Sequence, residues 1–125
     1  MELSKMKSNL KMNNLYFSSC SVERECKVEN GECKADLQRN IKKTGEHEYD
    51  VELELLVQKS DLSVSIVARA QFMYEAEDYE REESIIKANT VAIMFPFIRS
   101  QVTLLTTQPG MTPIVLPPIN TTKFS

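Results

Sequence analysis

Two stretches of the chain alternate apolar and polar residues with a period of two. Tyr49, Val51, Leu53, Leu55 and Val57 alternate with Asp50, Glu52, Glu54 and Gln58, and only Leu56 breaks the polar side. Val64, Ile66, Ala68, Ala70, Phe72 and Tyr74 alternate with Ser63, Ser65, Arg69 and Gln71, with Val67 and Met73 interrupting the polar side. This period turns one face of a strand to a core and the other to water. Thinner patterns precede them: Leu10 to Val22, with an irregularity at Asn13-Asn14, and Cys33 to Lys43, whose apolar positions are Cys33, Ala35, Leu37 and Ile41. The pattern predicts four antiparallel strands at about 10–23, 33–43, 49–58 and 63–75 in meander-like order, with a turn at Asn30-Gly31 that allows a hairpin.

The period then changes. From Thr90 to Thr107, at 100° per residue, Val91, Met94, Phe95, Ile98, Val102 and Leu105 form one stripe. Ile93, Phe97 and Leu104 form a second stripe about a third of a turn away. The spacing predicts a helix over about 89–107, capped near Asn89-Thr90, and Pro96 inside it calls for a kink or a start nearby. A helix with two apolar faces needs two covers. The sheet supplies one, to which small Ala68 and Ala70 allow close approach, and a second copy of the chain is the simplest other. After Pro109-Gly110 stops the helix, the apolar, proline-rich stretch to Asn120 is extended but unable to pair as a central strand. The fold class is therefore α+β: a four-stranded antiparallel sheet packed by one long C-terminal helix. Residues 1–9 are a polar disordered tail and 10–125 a single domain, with the proline-rich loop at 109–120.

Composition narrows the function. The 125 residues suit one core, and the net charge of −3 argues against a general nucleic-acid surface. The longest apolar run, Val91 to Ile98 including Pro96, is too short to span a bilayer, and residues 1–11 hold no signal-peptide block. With three cysteines in no disulfide framework, the expectation is a cytoplasmic protein without a membrane segment.

Chemistry is sparse. His47 sits in a turn with no relay partner in its spacing and reads as a surface histidine. Cys20, Cys26 and Cys33 lack the paired gaps of structural zinc sites, and Gly31, Gly45 and Gly110 are isolated turn glycines rather than a phosphate loop. No cofactor, metal or catalytic residue is expected. Residues 75–83 hold six carboxylates and only Arg81 as a base, a pattern read first as a solvated segment and second as a dock for a basic partner.

One resemblance adds to this. The run Ile-Met-Phe-Pro-Phe-Ile-Arg ending at Arg99, followed by Gly110, Pro113, Leu116, Pro118, Ile119 and Asn120, resembles the SecB family of bacterial export chaperones. In that family a helix opens with an aliphatic-Phe-Pro-aromatic-x-Arg motif, ends before a Gly-x-x-Pro and leads into a Leu-x-Pro-aliphatic-Asn loop. Met94, Phe95, Pro96, Phe97 and Arg99 carry the first part. The resemblance implies an ATP-independent holdase, assembled as a dimer of dimers, that keeps unfolded clients in apolar grooves, with no enzymatic activity. It joins the residue reading in the helix interface, for which Ile93, Phe97, Arg99 and Leu104 are the expected contacts. Val67, Met73, Ile114, Val115, Leu116 and Ile119 are the expected client-binding residues. The sequence departs from the family in the short charged stretch Glu23 to Glu32, where an apolar crossover is usual. It also reaches Ser125 where the family's second helix and acidic tail would begin, which leaves docking on the SecA motor without one of its elements. A second hypothesis keeps the fold but dedicates the groove to one partner, such as an antitoxin or a phage or mobile-element protein.

Overall fold

The computed structural model describes residues 10–24, 33–59, 61–76 and 79–118. Strands β1 (Leu10–Arg24), β2 (Lys34–Gly45), β3 (Glu48–Lys59) and β4 (Leu62–Tyr74) form one antiparallel sheet, followed by helix α1 (Glu82–Leu105). The sheet order is β1-β4-β3-β2, not the meander expected from chain order. β1 and β2 lie at opposite edges, so no turn at Asn30-Gly31, which lies outside the described residues, joins neighbouring strands. The reason lies in the apolar content. β3 and β4 carry an almost unbroken inward row, with Val51, Leu53, Leu55, Val57, Val64, Ile66, Ala68 and Phe72 no more than 2% exposed, and only central positions bury such rows fully. The thinner strands take the edges, where Leu37, Ile41, Phe17 and Val22 remain half-buried.

The irregularity at Asn13-Asn14 is a bulge. β1 pairs with β4 up to Asn13↔Gln71 and resumes at Tyr16↔Arg69, with Asn14 at φ 56°. Asn tolerates this left-handed conformation better than most residues do, and the extra residue restores the inward alternation after Leu15.

α1 lies on the inward face, and its first stripe behaves as the spacing predicts: Val91, Met94, Phe95, Ile98 and Val102 are buried, and Leu105 is half-buried. The helix nevertheless starts at Glu82, seven residues earlier than expected. Ile86 and Glu82 continue the same stripe backwards at four-residue steps, and both are buried. Thr90 does not cap; it is fully buried, and its hydroxyl donates to the Ile86 carbonyl one turn back. Pro96 stands within the helix on its exposed side, one turn after exposed Ala92, whose carbonyl loses its usual donor where water can replace it.

Candidate functional site: a groove beside the helix

Past the helix the chain reverses at Gly110, whose φ of +80° suits a residue without Cβ, and runs back extended over 111–118. Prolines at 113, 117 and 118 deny this segment a strand's regular pairing, and side chains of the helix hold its backbone instead. Thr103 Oγ1 donates to the Ile114 carbonyl at 2.8 Å, and Arg99 Nε donates to the Leu116 carbonyl at 3.0 Å. Thr106 Oγ1 accepts from the Ile114 N–H at 2.9 Å while donating to the Val102 carbonyl at 2.8 Å. The Arg24 guanidinium reaches the Gly110 carbonyl, which ties the reversal to the edge strand β1. Held this way, the segment alternates with period two: Ile114 and Leu116 enter the core at 1% and 4% exposure, and Val115 points out at 73%.

Between helix and segment lies an open groove of about 580 Å³ lined by Pro96, Arg99, Ser100, Thr103, Leu104 and Val115, among others. Leu104 at 66% exposed and Phe97 at 48%, with Val115, leave a line of large apolar side chains in water. Scattered apolar residues on a surface are ordinary; Leu104 and Val115 facing one groove, with Phe97 exposed two turns before Leu104 on the same helix, are not.

The expected client-binding residues do not all meet here. Ile114 and Leu116 belong to the core, Val115 borders the groove, and Ile119 lies outside the described residues. Val67 and Met73 are half-buried on the opposite face of the sheet among polar neighbours, Val67 beside Ser19 and Glu54, Met73 beside Lys11 and Glu48. Of the expected interface residues, Phe97 and Leu104 are exposed and Ile93 is half-buried against the core, while Arg99 is turned to the returning segment.

A second cluster fixes the other end of the helix. Glu82, 7% exposed, accepts hydrogen bonds from the Tyr49 hydroxyl and from His47 Nδ1 at 2.5 Å. Tyr79 stacks on the His47 ring at a centroid distance of 3.9 Å, and the His47 carbonyl accepts from the Tyr74 N–H at 2.8 Å. The histidine expected at the surface is therefore half-buried, held in the two-residue turn between β2 and β3 with φ 60°. Burial acts to raise the Glu82 carboxyl. The bonds from Tyr49 and His47, with the charges of His47 and Lys43, outweigh it and hold the group below its ordinary value. Tyr49 is pushed up to about 12 by burial and by its bond to Glu82.

The signs give a pH prediction. Glu82 contributes stability present above its unfolded value and lost as acid protonates the folded carboxyl; Tyr49 contributes stability present below its unfolded value and lost between pH 10 and about 12. The urea midpoint is expected to fall at both extremes, and Tyr49→Phe is expected to flatten the alkaline limb. An alkaline limb identical in wild type and variant would refute the assignment. Nothing in this cluster forms a relay to a nucleophile, and among the described residues no three His, Cys, Asp or Glu side chains are placed to share a metal ion.

Comparison with known proteins agrees with the geometry. A solved Mycobacterium tuberculosis SecB-like chaperone, in complex with a ChAD peptide from the HigA1 antitoxin, superposes with a TM-score of 0.62 at 16% identity, covering 89% of this chain and 91% of that one. A Streptococcus agalactiae protein of unknown function superposes at 0.64 with 10% identity, covering 86% and 96%. An uncharacterized protein of Methanocaldococcus jannaschii is 31% identical over 62 residues, half of this chain but only 40% of that relative's length. The family model of the preprotein translocase subunit SecB matches residues 4–124, nearly the whole chain, and the sheet and single C-terminal helix are those of the SecB-like neighbour, so this chain belongs to the SecB family.

Proposed function

We propose that the protein is an ATP-independent chaperone that holds unfolded polypeptides and works as a homo-oligomer in the cytoplasm, without enzymatic activity. The observation that carries this is the exposed apolar line of Phe97, Leu104 and Val115 beside an open groove, in a chain of this family. Covering three such side chains favours association by roughly 5 kcal/mol, against which ordering and rigid-body losses are set. A line along one helix is also self-complementary about a two-fold axis, the symmetry most soluble dimers use. Among the described residues no helix is long and apolar enough to cross a membrane.

Side-chain attraction rather than strand pairing is the mode of client binding this surface favours. The prolines of the returning segment offer no donors, and apolar contact tolerates many sequences. Val115, with Val67 and Met73 on the other face of the sheet and Ile119, remains a proposed client residue, whereas Ile114 and Leu116, at 1% and 4% exposure, serve the core; Val115 is the one to test first, since it can be charged without opening the core.

The test is aggregation of a chemically denatured model client followed by light scattering, with the oligomer mass measured on the same sample. Suppression that saturates near one oligomer per client is expected in wild type, with a several-fold loss in Val115→Asp. Suppression, mass and stability all unchanged in that variant would remove the groove from the mechanism. A second reading dedicates the groove to one partner, and it is favoured by the antitoxin peptide in the M. tuberculosis SecB-like complex. It predicts tight binding of a single peptide and no protection of the model client.

A further inference from the structure

The outward face of the sheet, away from the helix and its groove, holds a cup of about 420 Å³ between Val67 and Met73 of β4. Two adjacent cross-strand rows build it, Gln71, Asp50 and Lys42 in one and Tyr16, Arg69, Glu52 and Asn40 in the next, so that all four strands contribute. The β1 bulge brings Asn14 to the same wall, where its amide Nδ2 donates to Gln71 Oε1 at 3.0 Å. Arg69 lies 2.8 Å from the Glu52 carboxylate and within reach of the Tyr16 hydroxyl. Half of the cup is thus internally paired and held on strands.

The other half is not. The side chains of Asn40, Lys42 and Asp50 make no hydrogen bond or ion pair among the described residues, although Lys42 and Asp50 are direct cross-strand neighbours. An amide, an ammonium and a carboxylate stand free at one end, and Tyr16, 52% exposed, offers a ring at the other. The formal charges of Lys42 and Arg69 balance those of Asp50 and Glu52, so the cup carries no net charge to favour an ion of either sign. Most of its lining side chains are polar or charged, which suits an unfolded apolar client poorly. What fits a set of mixed donors and acceptors without net charge is a neutral ligand whose every polar group both donates and accepts, which is the chemistry of vicinal hydroxyls. The volume falls within the range of small-molecule pockets, and the flat phenol of Tyr16 can take the C–H face of a ring.

We propose that this cup binds a neutral polyhydroxylated ligand, a mono- or disaccharide, independently of any client in the helix groove. Asp50 and Asn40 would grip adjacent hydroxyls, Lys42 would donate to a third, and Tyr16 would stack.

The test is a titration of the full chain by amide NMR with maltose, cellobiose and diacetylchitobiose, using glycerol as the control polyol. Saturable shifts at millimolar concentration, centred on residues 14, 16, 40, 42, 50, 69 and 71, are expected with at least one disaccharide. Asp50→Ala, an exposed change that leaves the core intact, is expected to weaken that binding about tenfold or more while client protection stays as in wild type. Absence of saturable shifts with all three disaccharides, equal shifts with glycerol, or undiminished binding in Asp50→Ala would each overturn the proposal.

Discussion

Replacing Phe97 and Leu104 together by Asp is expected to give a folded monomer that no longer protects a denatured client. Both side chains stand in solvent at 48% and 66% exposure, so the change removes nothing from the core formed by Val91, Met94, Phe95, Ile98 and Val102. Asp in a helix interior costs roughly 0.5 kcal/mol per site, a small part of a domain's stability. At an interface the balance is different. Each lost apolar side chain removes about 2 kcal/mol of burial, and each new carboxylate must be desolvated beside its symmetry mate. Together these amount to a rise of at least about a thousandfold in the dissociation constant, enough to move a micromolar oligomer to monomer. Mass by light scattering and the urea midpoint, measured side by side, separate loss of assembly from loss of fold. A wild-type protein that is monomeric at micromolar concentration, or a variant of unchanged mass, would exclude this helix face as the interface.

Glu82→Ala carries the largest expected cost to stability, about 3 kcal/mol. The carboxylate is the single acceptor that joins Tyr49 on β3, His47 in the β2–β3 turn and the first turn of α1. Its removal strands a buried phenol and an imidazole and leaves a hole beside Ile86. It also takes a negative charge from the positive end of the helix dipole. Glu82→Gln keeps the shape and one acceptor and should lose about half as much. Hydrogen exchange should place the loss in residues 82–90, because the later turns are pinned by Thr103 and Thr106 to the returning segment. A change below about 0.5 kcal/mol for Glu82→Ala, the range of ordinary surface substitutions, would show that the cluster is an ornament of the hairpin rather than its anchor.

Apart from β1, whose position in the sheet had to come from the fold, the parts legible beforehand were those with a strict local period. β3 and β4 announce themselves because both of their neighbours are strands and every second residue is buried, and the first helix stripe does so because five of its positions are buried. The motif around Pro96 was enough to name the family. The early turns of α1 were hidden because Glu82 and Thr90 hold core positions as polar residues satisfied by hydrogen bonds, which a hydrophobicity pattern reads as gaps. The Glu82 cluster itself was invisible for a related reason: it joins residues 35 apart, and its stacked Tyr79 comes from a run that looks only acidic.

The sequence alone therefore determined which residues face inward on β3, on β4 and along the main stripe of the helix, since that depends on period and local geometry, and it determined that this helix carries a second apolar stripe. Only the tertiary structure decided which strands are neighbours. Chain order favours pairing β1 with β2, but burial of the richest strands requires them at the centre, and the gain from covering both of their edges outweighs the longer connection. The tertiary structure also decided the fate of the last apolar segment. Ile114, Val115 and Leu116 are equivalent as sequence, and it is the hydroxyl of Thr103 and the guanidinium of Arg99, gripping alternate carbonyls, that turn two of them into the core and leave the third in water.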